Sequence, residues 1–271
     1  MRRNDLLGFC LEQINNYPDE SIDEEVMLVC TEFIQSASSG NKKNLNYIMQ
    51  KDGLQKVVLQ LIIALEELTQ KADNLEKEVL QMQVKILEKL CSATTSIVQD
   101  NIVAQAKIRE YSLLAPLLVY ISNAGQSIGE GLQFGESVVH SAITLLSTCI
   151  DQNRETQDWI LTNVKIYEIA EAYVKQRTSL KLAGSGCLLV ANLCGRNKGA
   201  QKTFMVDELI KNVIYLLDFN GLYVEADLDT PVESLQEISF YALLALINFS
   251  LDNIESQDFV GKHGAIKAIL Q

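Results

Sequence analysis

The chain has 271 residues, 48 % of them hydrophobic, which is ample for one large core or two ordinary ones. Its 35 acidic and 23 basic residues leave a formal charge of -12; this repels phosphate backbones, disfavours nucleic acid as a partner and favours a basic or apolar protein surface. With only 3 prolines and 14 glycines against abundant Leu, Ile, Ala, Glu, Gln and Lys, the composition points to an all-α chain.

Residues 1 to 20 read as an N-terminal segment or cap. The opening MRRNDLLGFC places Cys10 behind Arg2 and Arg3, a context in which a reversible acyl chain could attach. In SIDEEVMLVC, Ser21 stands three residues before Glu24, the spacing of a capping box, so the acids Asp23, Glu24 and Glu25 suit a helix N-terminus. Six cysteines, at positions 10, 30, 91, 149, 187 and 194, form no CxxC pair. No secretory signal precedes them, so reduced thiols in a cytosolic compartment are expected, buried in the core except at Cys10. The richest apolar run, QKVVLQLIIAL at 55 to 65, falls short of the roughly 18 to 20 residues that cross a bilayer.

A pattern recurs along the chain, which predicts stacked repeats. VCTEFIQSASSGNKKNLNYIMQKDGLQKVVLQLI (29 to 62) and ILEKLCSATTSIVQDNIVAQAKIREYSLLAPLLVYI (86 to 121) are its fainter copies. The clearer ones are TLLSTCIDQNRETQDWILTNVKIYEIA (144 to 170), VANLCGRNKGAQKTFMVDELIKNVIYLL (190 to 217) and ALINFSLDNIESQDFVGKHGAIKAIL (245 to 270). Each starts with an apolar helix end and passes through a polar Asn/Asp/Gly bend. A short helix follows, with Trp159, Phe204 or Phe259 expected on its inner face, and then a second apolar helix begins near Ile166, Ile210 or Ile266. Uneven spacing is absorbed by polar segments at 66 to 78, 123 to 136 and 218 to 233, which are expected to be loops along one edge. In ISFYALLALINFSL, Ile238, Tyr241, Ala242, Ala245 and Phe249 form one helical stripe, and Leu243, Leu244, Leu246 and Ile247 fill most of the remaining face. Such a helix is expected to be buried on several sides.

The run ALLALINFSLDN followed by GKHGAIKAIL resembles the armadillo repeat, a three-helix unit, and about five such units span residues 21 to 271 as a single domain, 1 to 271, with a partial last copy. The resemblance implies a right-handed superhelical solenoid whose third helices line a groove. In peptide-binding members an Asn on that helix grips the partner's backbone, and Asn192 and Asn248 stand at the matching positions. Such a carboxamide donates and accepts at once. Ser147 takes the place in the third copy, and charged residues near Glu88 and Glu32 take it in the first two. Leu188 and Leu244 stand where importin-like receptors carry tryptophan, which counts against the alternative of an importin-like peptide or transport receptor.

In overall plan, in Asn/Lys-rich loops such as SGNKKNLNYI and in acidity, the chain resembles the armadillo-repeats-only family of apicomplexan parasites. That resemblance implies a monomeric, cytoplasmic scaffold, peripheral on the cytosolic face of the rhoptry, a secretory organelle. There it would gather partners such as a myosin motor and an adenylate cyclase to position the organelle. The family carries an N-terminal glycine and adjacent cysteines for acylation, whereas MRRNDLLGFC lacks them, so an acyl anchor of that kind is not present in this sequence.

No catalytic constellation, metal ligand set or cofactor motif emerges. The two histidines, His140 and His263, are far apart and lie in different copies. GSGCLLVANLCGRNKGAQKTF at 184 to 204 suggests a nucleotide-binding enzyme at first sight, but Gln201 rather than glycine precedes Lys202 and the upstream run is helical. Gly184 and Gly186 are expected to be thin spots between helices, with Gly195 ending the helix.

Overall fold

The computed structural model describes residues 3–18, 23–71, 75–127, 135–218, 221–223 and 231–270. Helices account for most of these, with no strand among the described residues. The chain divides into two compact units, Met1–Cys149 and Ile150–Gln271.

The first unit opens with α1 (Arg3–Asn16) and α2 (Glu24–Ser38). Two triplets follow, α3 (Lys42–Gln50), α4 (Gly53–Lys71) and α5 (Lys77–Val98), then α6 (Ile102–Glu110), α7 (Leu114–Ser127) and α8 (Glu136–Ile150). The stripe Leu7, Cys10, Leu11 and Ile14 seats α1 against its neighbours, since positions three, four and seven residues on from the first stay on one face of a helix. The third helix α5 packs on the preceding third helix α2 and on its own second helix α4.

The second unit repeats the plan with α9 (Arg154–Asn163), α10 (Ile166–Val174) and α11 (Leu180–Cys194), then α12 (Lys198–Thr203), α13 (Asp207–Tyr215) and α14 (Val232–Ser250). It closes with α15 (Ile254–Lys262) and α16 (Ala265–Ile269). Helices α11 and α14 form its densest contact. Gly184 permits this packing, and Gly186 permits the close approach of α10 to α11. A Cβ on Gly184 would come within 3.0 Å of Ile238, and one on Gly186 within 2.9 Å of both Tyr173 Cβ and the Val174 backbone nitrogen. Along α14, Ile238, Ala242, Ala245 and Phe249 are buried as their spacing predicts. The apolar surface that runs nearly all round this helix is not all covered, since Phe240 and Ile247 are 58 % and 51 % exposed.

One device joins each third helix to the next first helix. A residue in the left-handed region, Gly40, Asp100, Gln152, Arg196 or Asp252, reverses the chain with φ between 51 and 63°. An asparagine follows at 41, 101, 153, 197 and 253, and its side-chain oxygen accepts the backbone N–H three residues on. Such a cap contributes about 1 kcal/mol. In the next turn Asn44, Gln105, Gln157, Gln201 or Gln257 donates to a carbonyl seven residues back, at the end of the helix just completed. The first helix is then anchored by Ile48, Ile108, Ile160, Phe204 or Val260. Trp159 and Phe259 precede two of these anchors by one residue and are only half-buried, so the inward register is shifted by one from the expected aromatics.

Three sequence expectations concern the ends of helices. Asp23, not Ser21, caps α2 by accepting the Val26 N–H at 2.8 Å, and Ser21 lies outside the described residues. Gly195 ends α11 with a negative φ of -55°, and the left-handed residue is Arg196. Of the expected edge loops, 66–71 and 123–127 are instead the last turns of α4 and α7, and 72–74, 128–134, 219–220 and 224–230 lie outside the described residues.

Candidate functional site

The capping asparagines set a common register on the third helices. Five residues before each lies Ser36, Ser96, Thr148, Asn192 or Asn248, all at least partly exposed. In three copies the backbone carbonyl at this position accepts a hydrogen bond from the glutamine of the preceding first helix. Gln105 reaches Thr148 at 3.0 Å, Gln157 reaches Asn192 at 2.8 Å and Gln201 reaches Asn248 at 2.9 Å. The amide ladder therefore holds the backbone from which the outward side chains project.

Those side chains differ between the units. Ser96 and Thr148 turn their hydroxyls back onto their own helices, to Ser92 and Thr144 carbonyls at 3.1 and 2.8 Å, the usual competitor for an outside partner. Asn248 donates one N–H to the Ala191 carbonyl at 2.9 Å, which fixes the plane of its carboxamide. Its second N–H and its oxygen make no other hydrogen bond among the described residues.

Asn192 and Asn248 line one recess of about 680 Å³ in the second unit, together with Gly195, Arg154, Arg196 and Asp151. Arg154 is held in place: its Nε donates to Asp158 at 2.9 Å and a terminal nitrogen donates to the Arg196 carbonyl at 3.2 Å. The Arg196 side chain is exposed and makes no hydrogen bond or ion pair among the described residues. Leu188 and Leu244, half-buried one turn before the asparagines, supply apolar surface on the same two helices. The recess thus offers carboxamides that can pair with a peptide group, guanidinium groups and a short apolar strip.

The other expected site residues lie elsewhere. Ser147 is fully buried, because one residue along a helix turns a side chain by about 100°, and Thr148 holds the outward position instead. Glu88 sits two turns before Ser96 and accepts the Ser137 hydroxyl at 2.8 Å. Glu32 pairs with Lys89 at 2.8 Å. Cys10, expected to be open to an acyl chain, is 4 % exposed within the α1 stripe. Its hydrogen bond to Cys30, and then burial, raise the pKa of its thiol, and its burial in the α1 stripe leaves it inaccessible.

The glycine-rich stretch at 184 to 204 is a helix end, a turn and the short α12. Gln201 is buried and donates to the Cys194 and Leu251 carbonyls as well as to Asn248. Among the described residues no group of three His, Cys, Asp or Glu is arranged to hold a metal ion. No described helix is long and apolar enough to cross a membrane.

No protein-family profile matches the chain, and no curated protein matches it significantly. Solved structures do. A designed armadillo repeat protein in complex with the peptide (KR)4 is similar with a TM-score of 0.66 at 16 % identity, over 97 % of this chain and 89 % of that one. A second designed armadillo repeat protein gives 0.64 at 16 % identity, over 97 % and 90 %. Computationally designed armadillo repeat proteins for modular peptide recognition give 0.61 at 16 % identity, again over 97 % and 90 %. The chain therefore has the armadillo-repeat fold, an all-α solenoid of three-helix units.

Proposed function

We propose that the protein is a non-enzymatic scaffold that binds an extended segment of a protein partner along the third helices of its second unit. The observation that carries this reading is the meeting of Asn192 and Asn248 in one recess, each on a backbone pinned by a buried glutamine. A peptide backbone presents alternating N–H and C=O groups, and two carboxamides held at successive repeats can pair with it whatever its side chains are. That similar folds were designed for peptide recognition agrees with such a use.

The test is partner capture by the intact chain compared with variants. Asn192→Ala, and Asn192→Ala combined with Asn248→Ala, should each weaken binding, with the double variant about tenfold or more below the wild type. Because Asn248 also tethers the Ala191 carbonyl, thermal unfolding of each variant is compared with the wild type. Unchanged capture by a folded double variant removes the groove from this account.

A finer reading assigns the scaffold to the cytosolic face of the rhoptry, recruiting a myosin motor and an adenylate cyclase for organelle positioning. It rests on the repeat plan, the Asn/Lys-rich stretch SGNKKNLNYI, which the fold places mostly in α3 rather than in a loop, and the acidic composition. Proximity labelling in an apicomplexan cell tests it, and labelling that misses the organelle and both partners discards it.

A further inference from the structure

The net charge of the chain favours a basic partner, yet the recess carries the opposite local bias. It contains two arginines and a single acid, Asp151, in a chain whose acidic residues outnumber the basic ones 35 to 23. Arg154 is engaged with Asp158 and with the turn backbone, so its positive charge is largely balanced. Arg196 is not: its guanidinium projects from the turn beside the asparagines with no partner among the described residues.

The backbone under Arg196 sharpens the point. Its φ of 55° lies in the left-handed region, where a Cβ costs roughly 1 to 2 kcal/mol and where Gly, Asn or Asp is usual. Three equivalent positions hold Gly40, Asp100 and Asp252, as that preference predicts, while the fourth, Gln152, departs from it as Arg196 does and borders the same recess. Arginine gains nothing in helix capping, since Asn197 performs the cap, and nothing in the core. A strained residue with no visible internal use is where a binding role is to be sought.

We infer that the groove selects an extended peptide bearing an acidic side chain, whose carboxylate is taken by Arg196 while Asn192 and Asn248 hold the neighbouring peptide groups. The inference rests on the groove reading above and adds the sign of the ligand. A planar guanidinium meets a carboxylate through two parallel N–H···O bonds, so the preference has a geometric as well as a coulombic source.

Fluorescence anisotropy on the intact chain tests it with three labelled peptides of equal length: a Glu-Ser repeat, a Gln-Ser repeat and (KR)4. The Glu-Ser peptide should bind about tenfold more tightly than (KR)4 at moderate salt. Arg196→Glu should reverse that order, and Arg196→Gln should bring the Glu-Ser and Gln-Ser peptides to similar affinity. Tighter binding of (KR)4 to the wild type, or indifference of the Glu-Ser peptide to Arg196→Glu, overturns the inference. If (KR)4 or the Gln-Ser peptide binds best and still depends on Asn192 and Asn248, the groove reading survives and only the acidic selectivity falls. If none of the three binds, both fall. Unchanged thermal unfolding of the Arg196 variants shows that any loss is one of recognition, since the side chain is exposed.

Discussion

Asn253 donates from Nδ2 to Gln201 Oε1 at 2.9 Å, so the cap of one repeat completes the hydrogen bonding of the amide that pins the repeat before it. Gln201 is fully buried, with its Nε2 directed at the Cys194, Asn248 and Leu251 carbonyls. The same relation joins Asn197 to Gln157 at 3.0 Å. In the second unit, successive repeats are thus linked by polar groups that are buried, or at Asn253 half-buried, where losing one partner strands the other.

Gln201→Leu, close in volume, should therefore lower stability by about 2 to 4 kcal/mol, because it leaves carbonyls and the Asn253 amide unsatisfied rather than opening a cavity. Urea unfolding followed by circular dichroism measures it. The exposed neighbour Lys202→Leu should change stability by no more than about 0.5 kcal/mol. Equal effects of the two would deny the ladder its structural weight.

Arg196→Gly should stabilise the free protein by about 0.5 to 1 kcal/mol, since relief of the left-handed Cβ contact outweighs the added freedom of the unfolded chain. The same change should weaken the acidic peptide. A destabilised Arg196→Gly protein would mean that the side chain has an internal role.

Two helical glycines should respond in opposite directions. Gly186→Ala forces a Cβ to 2.9 Å from the Val174 backbone nitrogen and should cost about 1 to 3 kcal/mol. Gly261, within α15, has nothing within 4 Å of an added Cβ, so Gly261→Ala should gain up to about 1 kcal/mol. Paired thermal melts read both.

Stability should fall in alkaline solution. Burial pushes the Cys149 thiol from 9.0 up to about 12, and drives Cys91, Cys187, Cys194 and the Tyr173 phenol upward too. A raised folded-state value means that the unfolded chain gives up its protons first. The stabilisation is therefore complete below about pH 9 and is lost progressively as pH climbs towards 12. Urea midpoints between about pH 8 and pH 10.5 should decline steadily, and native protein should react with a thiol reagent far more slowly than unfolded protein. A flat profile would contradict the burial of these groups.

The repeat architecture was legible because ISFYALLALINFSL and its relatives carry helical periodicity, and because Asn-centred bends recur between them. Asn192 and Asn248 could be singled out for the same reason: their copies are the least diverged, and the structure places both in one recess. In the earlier copies the register is not legible from sequence. With hydroxyl residues adjacent at Ser147 and Thr148, an ungapped comparison has no chemical reason to prefer one, and helical geometry sends Ser147 into the core. Five residues before Asn101 and Asn153 stand Ser96 and Thr148. The Asn-x-x-x-Gln pairs at 101/105, 153/157, 197/201 and 253/257 carry the register, within stretches whose composition signals only a polar bend. Cys10 lies near basic residues in sequence, but Leu7, Leu11 and Ile14 mark its face as internal. The left-handed angle at Arg196 is a backbone property that composition does not reveal.

The left-handed turn carries a consequence for how such a chain diversifies. In the second unit the capping asparagine and the buried amide are hydrogen-bonded between successive repeats and resist exchange, whereas the Arg196 side chain just before the cap is exposed and makes no hydrogen bond among the described residues. Gln152 and Arg196 both occupy this position and both border the recess. At these two turns the side chain can therefore be exchanged without disturbing the cap or the amide, so the chemistry of the recess varies independently of the scaffold that holds it.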